Sequence, residues 1–231
     1  MTTLHHPTAT FDTSLPFPAL VAVEHAQQAL LLLAVEPRLR GVVFAAAAGT
    51  GKSTLARGVR ALLDPATPFV ELPASIDIDN LLGGLDLEAT LRTGQLTTQR
   101  GVLARAHNGL VYVDGVNLLA DSVVNLLLGV LDAGEVHVER ETASFRAPAN
   151  FSLIGSYDPS EGPPRRHLLD RVGLMVTLPA ATSLAVRERV SAANLRGDHA
   201  AWNEDADFLR GLIVTARDHL RRVQIDDDAV R

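Results

Sequence analysis

Short apolar runs recur along the chain, with helical periodicity between them. Gly41–Phe44, Phe69–Leu72, Leu110–Asp114, Phe151–Gly155 and Leu174–Leu178 are each bounded by Gly, Pro or Asp. Each run predicts a strand, and Leu110–Asp114 and Phe151–Gly155 predict buried strands of a parallel sheet. The stretches between them change to helical spacing. Val23, Ala26, Leu30 and Leu33 share one helical face, and Pro37 closes that helix. Leu55–Leu63 predicts a second helix, and Gly101–His107 a short one. Val124, Leu127, Leu128 and Leu131 line a further helix, with Asp121 as its expected cap and Ala133-Gly134 as its stop. Val136–Glu139 and Ala143–Arg146 alternate around Arg140–Thr142 and predict a hairpin. Strands that alternate with helices predict an α/β fold.

Residues 1–15 are an expected flexible lead-in, and 16–180 one α/β domain. Within it, 73–100 is read as a helical insertion with loops, and 136–146 as the hairpin. After Pro179 the pattern is helical only. One helix is expected near Leu184–Leu195, ended by Gly197, and a second has Leu209, Leu212, Ile213, Ala216 and Leu220 on one face. Asp226-Asp227-Asp228 could cap a third, which the chain would not complete at Arg231; residues 181–231 are therefore expected to be the start of a longer helical region.

Composition narrows the classes. The chain has 231 residues, 47% hydrophobic, 21% charged and only 4% aromatic, so Ala, Val and Leu must fill the core. A net charge of −6 argues against a nucleic-acid partner held by a general basic field, although it leaves room for a local patch. The absence of Cys excludes disulfides and Cys-ligated zinc, and allows a reducing compartment. The longest apolar run, near Ala29–Val35, is far short of the roughly 20 residues of a membrane span. The N-terminus lacks the basic and apolar parts of a signal peptide, so a cytoplasmic protein is the simplest expectation. His5 and His6 could bind a metal or belong to a disordered tail.

The chemistry concentrates after the first strand, in Ala45–Thr54, which reads A-A-A-A-G-T-G-K-S-T. Strand, small-residue loop and helix in that order are the context of a phosphate-binding P-loop. Small residues let backbone N–H groups approach an anion, and the helix N-terminus adds positive potential. Gly49, Thr50, Gly51, Lys52, Ser53 and Thr54 are the candidate nucleotide-binding residues. Lys52 would reach the β- and γ-phosphates, and Ser53 would ligate Mg²⁺. Ala46 stands where the pattern G-x-x-x-x-G-K-[ST] has its first Gly. That change is tolerable if φ is negative there and costly if it is positive.

At Leu110–Leu119, reading L-V-Y-V-D-G-V-N-L-L, the chain resembles the AAA+ ATPase subunits of magnesium chelatase. Gly49–Ser53, Asp158-Pro159-Ser160-Glu161-Gly162 and Leu168-Leu169-Asp170-Arg171 carry the resemblance further, in the family's order, over about Pro16 to Arg222. It implies a P-loop AAA+ core with a five-stranded parallel sheet flanked by helices, followed by the start of an α-helical lid. It also implies ATP and Mg²⁺ as cofactors, with Asp114 as the Walker B acid beside Ser53 at the metal, and an oligomeric ring. Asp158 falls at the sensor-1 position, usually Asn, where a carboxylate would repel phosphate charge. The residue after Asp114 is Gly115 instead of the water-polarising Glu. Arg171 falls where the family places an arginine finger that reaches a neighbour's nucleotide; a surface Arg paired with Asp170 is the alternative. Arg165 and Arg166 are expected to assist.

The groups for the chain's own hydrolysis are altered, while the group for a neighbour is present. Magnesium chelatase has two types of AAA+ subunit, an I-type that hydrolyses ATP and a D-type whose AAA+ domain is degenerate. Within the resemblance the chain is most similar to the N-terminal AAA+ domain of the D-type, which would bind nucleotide weakly or not at all and hydrolyse it poorly. Such a module acts as a platform for the I-type subunit, and a large H-type subunit holds the porphyrin, in ATP-driven Mg²⁺ insertion into protoporphyrin IX. The alternatives are a hydrolysis-competent I-type subunit and a MoxR-like metal-loading chaperone. His107 and His167 read as surface or packing residues.

Overall fold

Alternation across the strands builds two cores on one sheet. In the computed structural model, which describes residues 16–85, 87–95, 97–140, 143–179, 188, 199–220 and 222–223, five strands form the central sheet. They are β1 (Gly41–Ala45), β2 (Phe69–Leu72), β5 (Gly109–Asp114), β8 (Phe151–Tyr157) and β9 (Leu174–Thr177), in the order β2-β5-β8-β1-β9. Every neighbouring pair is parallel. The expected lead-in 1–15 with His5 and His6, the helix near Leu184–Leu195 and the capping run Asp226–Asp228 lie outside the described residues.

Successive side chains point to opposite faces of a strand. Val43, Val111, Val113 and Leu153 therefore enter one core, and Val42, Phe44, Leu110, Tyr112 and Ile154 the other. The first core is covered by α3 (Ile78–Leu82), α5 (Val102–Arg105) and α6 (Asp121–Ala133), with the hairpin β6 (Glu135–Arg140) and β7 (Ala143–Pro148) at its rim. The second is covered by α1 (Glu24–Val35), α2 (Lys52–Arg60) and α8 (His199–Leu220), while α7 (Arg166–Leu169) leads into β9. Leu127 is wholly buried between α6 and the sheet, so shortening it to Ala would cost about 2–5 kcal/mol.

Three local expectations are corrected. The segment 73–100 holds more than helices and loops: β3 (Gly83–Leu85) and β4 (Thr98–Arg100) pair antiparallel around α4 (Leu87–Thr93). Asp121 does not cap α6. The N-cap is Ala120, whose methyl can accept no bond, and Asp121 is the first residue of the helix, its carboxylate paired with Arg165. On α8, Ile213 and Ala206 are buried but Leu212 is 49% exposed, so the helix presents a narrower apolar face than its spacing implied. That helix is tied down by polar contacts as well. Arg217 donates from Nε and Nη2 to the Ala34 carbonyl, at 2.9 and 2.6 Å, satisfying an acceptor in the last turn of α1. Among the described residues no helix is long and apolar enough to cross a membrane.

Candidate functional site

The carboxyl ends of the central strands carry the site, as in other open α/β sheets. β1 ends at the buried Ala45, the chain turns through 46–51, and α2 starts at Lys52. Gly49 and Gly51 take φ of 76° and 85°, in the left-handed region that suits glycine, and Gly51 is the N-cap of α2. Ala46 is not among the residues with positive φ, so its methyl is accommodated; it is buried, and its N–H donates to the Tyr157 carbonyl at 3.0 Å. The Thr50 hydroxyl closes the turn on the Ala47 carbonyl at 2.8 Å. Lys52 Nζ folds back to donate to the carbonyls of Ala46 and Ala47, at 2.9 and 3.1 Å. Ser53 and Thr54 follow in the first turn of α2.

Two residues not singled out in the sequence join Ser53 to Asp114. Ser53 Oγ lies 3.2 Å from Tyr112 Oη, which lies 3.4 Å from Ser156 Oγ. Ser156 in turn donates to Asp114 Oδ1 at 2.5 Å. Burial pushes the Tyr112 phenol pKa up, so it stays a protonated donor, and its ring stacks on Phe69 with centroids 6.5 Å apart. The signal available beforehand was chemical, and only at Tyr112: a hydroxyl inside an apolar strand needs a partner when buried, whereas Ser156 lies beyond the expected end of its strand at Gly155.

Gly115 follows Asp114 with φ 74°. A Cβ there would stand 3.1 Å from Leu118 Cδ1, so the backbone itself is set for glycine. The neighbouring Asn117 donates from Nδ2 to the Gly162 carbonyl at 3.2 Å, fastening the loop after β5 to the loop after β8, while its Oδ1 is buried without a partner. Asp158 begins that second loop. Its Oδ1 accepts from the Ser160 N–H and hydroxyl, at 2.9 and 2.7 Å, and its Oδ2 accepts from the Ala48 N–H at 3.1 Å. The bonds from Ser160, then that from Ala48 and the charge of Lys52, hold its pKa below the ordinary value.

Arg171 stands at the opposite end of the sheet. Its Nε donates to Asp132 Oδ2 at 2.7 Å, and Arg40 pairs with the other oxygen of the same carboxylate. Asp132, at the end of α6, is the partner, and not the sequence neighbour Asp170. The bond to Asp132 raises the Arg171 pKa, while Arg171 and then Arg40 lower that of Asp132. Arg40 immediately precedes β1 and the loop immediately follows it, so the six steps along the strand from Arg40 to Ala46 separate them by about 20 Å. Arg165 is paired with Asp121, and Arg166 and His167 are exposed. His107 packs, accepting at Nδ1 from the Asn150 N–H at 3.1 Å. An open cleft of about 840 Å³ at this amino edge includes Arg38, Arg40, Asp132 and Arg217. Its guanidiniums already have partners, Arg38 on Glu36, Arg40 on Asp132 and Arg217 on the Ala34 carbonyl.

The donor set at the carboxyl edge fits a magnesium nucleotide. A Cβ added at Gly49 or Gly51 would meet nothing within 4 Å, so the loop is open to an anion. The hydroxyl of Ser53 and the carboxylate of Asp114 are hard oxygen ligands of the kind Mg²⁺ takes. No group of three or more His, Asp or Glu able to hold a metal occurs among the described residues, so any ion there would lean on phosphate and water for its other ligands.

Comparison with known proteins agrees with this architecture. The family described as "AAA domain (dynein-related subfamily)" matches residues 41–172. The chain is 43% identical to the magnesium-chelatase 67 kDa subunit of Chlorobaculum parvum over 93% of its own length and 35% of the relative's. It thus spans about a third of that protein. It is 37% identical to the magnesium-chelatase 38 kDa subunit of Cereibacter sphaeroides, over 87% of the chain and 72% of the relative. A solved structure of the complex between subunits BchI and BchD of magnesium chelatase superposes with a TM-score of 0.68 at 35% identity, covering 94% of this chain and 79% of that one. From loop, sheet and relatives together, the chain belongs to the AAA-domain family, in the group formed by the AAA subunits of magnesium chelatase.

Proposed function

We propose that this chain is the AAA module of a D-type magnesium chelatase subunit: it binds nucleotide weakly, hydrolyses it poorly and lends a cation to its neighbour. Gly49–Thr54 would hold the phosphates, with Lys52 released from the Ala46 and Ala47 carbonyls to do so. Ser53 and Asp114 would hold the Mg²⁺, which when bound offsets phosphate charge. The Tyr112–Ser156 hydroxyls keep those two ligands in register. The observation that carries the reading is Gly115, a position with neither a side chain to polarise water nor a φ that a side chain adopts readily. Arg171 is too far from its own loop to serve it, and its exposure at the amino edge suits a role in trans. The module would act with the I-type subunit and a porphyrin-holding H-type subunit in ATP-driven Mg²⁺ insertion into protoporphyrin IX, in the cytoplasm and as part of a ring.

Coverage of 72% of a 38 kDa relative favours a second reading, a hydrolysis-competent I-type subunit. Reconstitution separates them. The proposed module stimulates porphyrin metallation only when an I-type chelatase subunit is also present. Metallation when this chain replaces the I-type subunit alongside D-type and H-type partners would establish the second reading, and no gain with any chelatase partner would point to a metal-loading chaperone instead.

A further inference from the structure

Asp158 puts a fixed anion inside the cradle. β1 and β8 run in register, Ala45 beside Tyr157, so the residues that leave the two strands are neighbours at the sheet edge. One carboxylate oxygen of Asp158 is anchored by Ser160 on its own loop, and the other accepts the Ala48 N–H from the P-loop. Held on both sides, the side chain is not free to swing away. It occupies the strand side of the cradle, three residues before Gly51. The N–H groups at the start of α2 lie on the other side, where a helix leaves its first donors unpaired.

We infer that Asp158 makes this a nucleoside-diphosphate site, in which the carboxylate takes the place of a terminal phosphate and ADP is held in preference to ATP. The inference rests on reading Gly49–Thr54 as a phosphate cradle. Charge and space act together. A triphosphate carries more negative charge than a diphosphate and extends further along the loop, so it must either approach the carboxylate or displace it from Ala48. Displacement leaves an anion next to the phosphates with one bond lost. A diphosphate can use the helix side and Lys52 alone. Such a module would hold ADP as a structural ligand and would be poorly loaded with the substrate of hydrolysis.

The test is calorimetric titration of the chain with ADP and with ATP, each with Mg²⁺, in the wild type, D158N and K52A. Asn keeps the shape and can still cap the Ser160 turn, so the fold is retained. The wild type is expected to bind ATP about tenfold more weakly than ADP, and D158N to close that gap by tightening ATP, the effect of one charge a few ångströms away in nearly bulk solvent. K52A is expected to lose both nucleotides. Equal affinities in the wild type, or a gap that survives in D158N, would overturn the inference and leave the cradle standing. Binding that survives in K52A, or no binding in either the wild type or D158N, would overturn the cradle itself.

Discussion

The two edges of the central sheet are built on opposite plans. At the carboxyl edge the loops are held together by single hydrogen bonds: Lys52 on two carbonyls, Asp158 on the Ala48 amide, and hydroxyls in a row from Ser53 to Asp114. At the amino edge one carboxylate, Asp132, gathers two guanidiniums, Arg40 and Arg171, into an exposed cluster. In the first arrangement Lys52 can leave its two carbonyls for a ligand, while Asp158 stays anchored by Ser160 and Ala48. The second presents a rigid cation outward. The departures from the ATPase pattern, Gly115 and Asp158, fall only on the first edge. On the proposed reading, the second edge would supply the group used in a shared reaction.

The comparison can be broken most sharply at Arg171. In a mixed assembly with the I-type subunit, Arg171→Ala is expected to lower ATP turnover at the shared interface on the order of a thousandfold, while Lys52→Ala lowers it far less. Equal losses, or the reverse order, would contradict a role in trans. A smaller effect is expected at the hydroxyl row. Ser156→Ala removes the donor to Asp114 and is expected to weaken nucleotide binding about tenfold with Mg²⁺, with no change in EDTA. A loss equal under both conditions would mean that Ser156 only supports the fold.

Restoring a Glu beside Asp114 should not repair the first edge. Gly115→Glu forces a side chain into a left-handed φ and against Leu118, and is expected to cost about 1–2 kcal/mol in urea unfolding with no gain in turnover. A gain would show that the missing side chain was the only defect. The smallest effect lies at Glu36, whose pKa is lowered from 4.5 to about 2, chiefly by hydrogen bonds from Arg38. A depressed carboxylate stabilises the fold above its unfolded pKa and loses that contribution as pH falls through the folded value. Glu36→Gln should therefore be slightly less stable than the wild type at pH 6, with the difference fading as pH falls below 4.5 and gone near pH 2. A constant difference would place its cause elsewhere.

Much of this architecture is legible from the residues. The three inner strands of the sheet are apolar runs, the edge strands are short runs bounded by Gly or Pro, and Gly49, Gly51, Lys52 and Ser53 mark the loop because only a few residues suit those positions. What was not legible depends on partners far along the chain. Asp121 looks like a cap until Arg165, on another element, takes its carboxylate. Asp170 looks like the partner of Arg171 because it is adjacent, but α6 delivers Asp132 instead. The β3–β4 ribbon is masked by the two glycines in β3, which weaken any strand signal. Tyr112 sits within an apolar run and Ser156 beyond the strand expected at Phe151–Gly155, and only the longer β8, paired with β5, brings their hydroxyls together.

The central claim is a nucleotide site without competent hydrolysis, and it is tested most directly by single-turnover ATP hydrolysis on the isolated chain with Mg²⁺ at saturating protein. The account predicts that ATP bound to the wild type is recovered uncleaved over many minutes, with no more cleavage than in a Lys52→Ala control that does not bind it. Rapid Mg²⁺-dependent cleavage in the wild type that Lys52→Ala abolishes would contradict it.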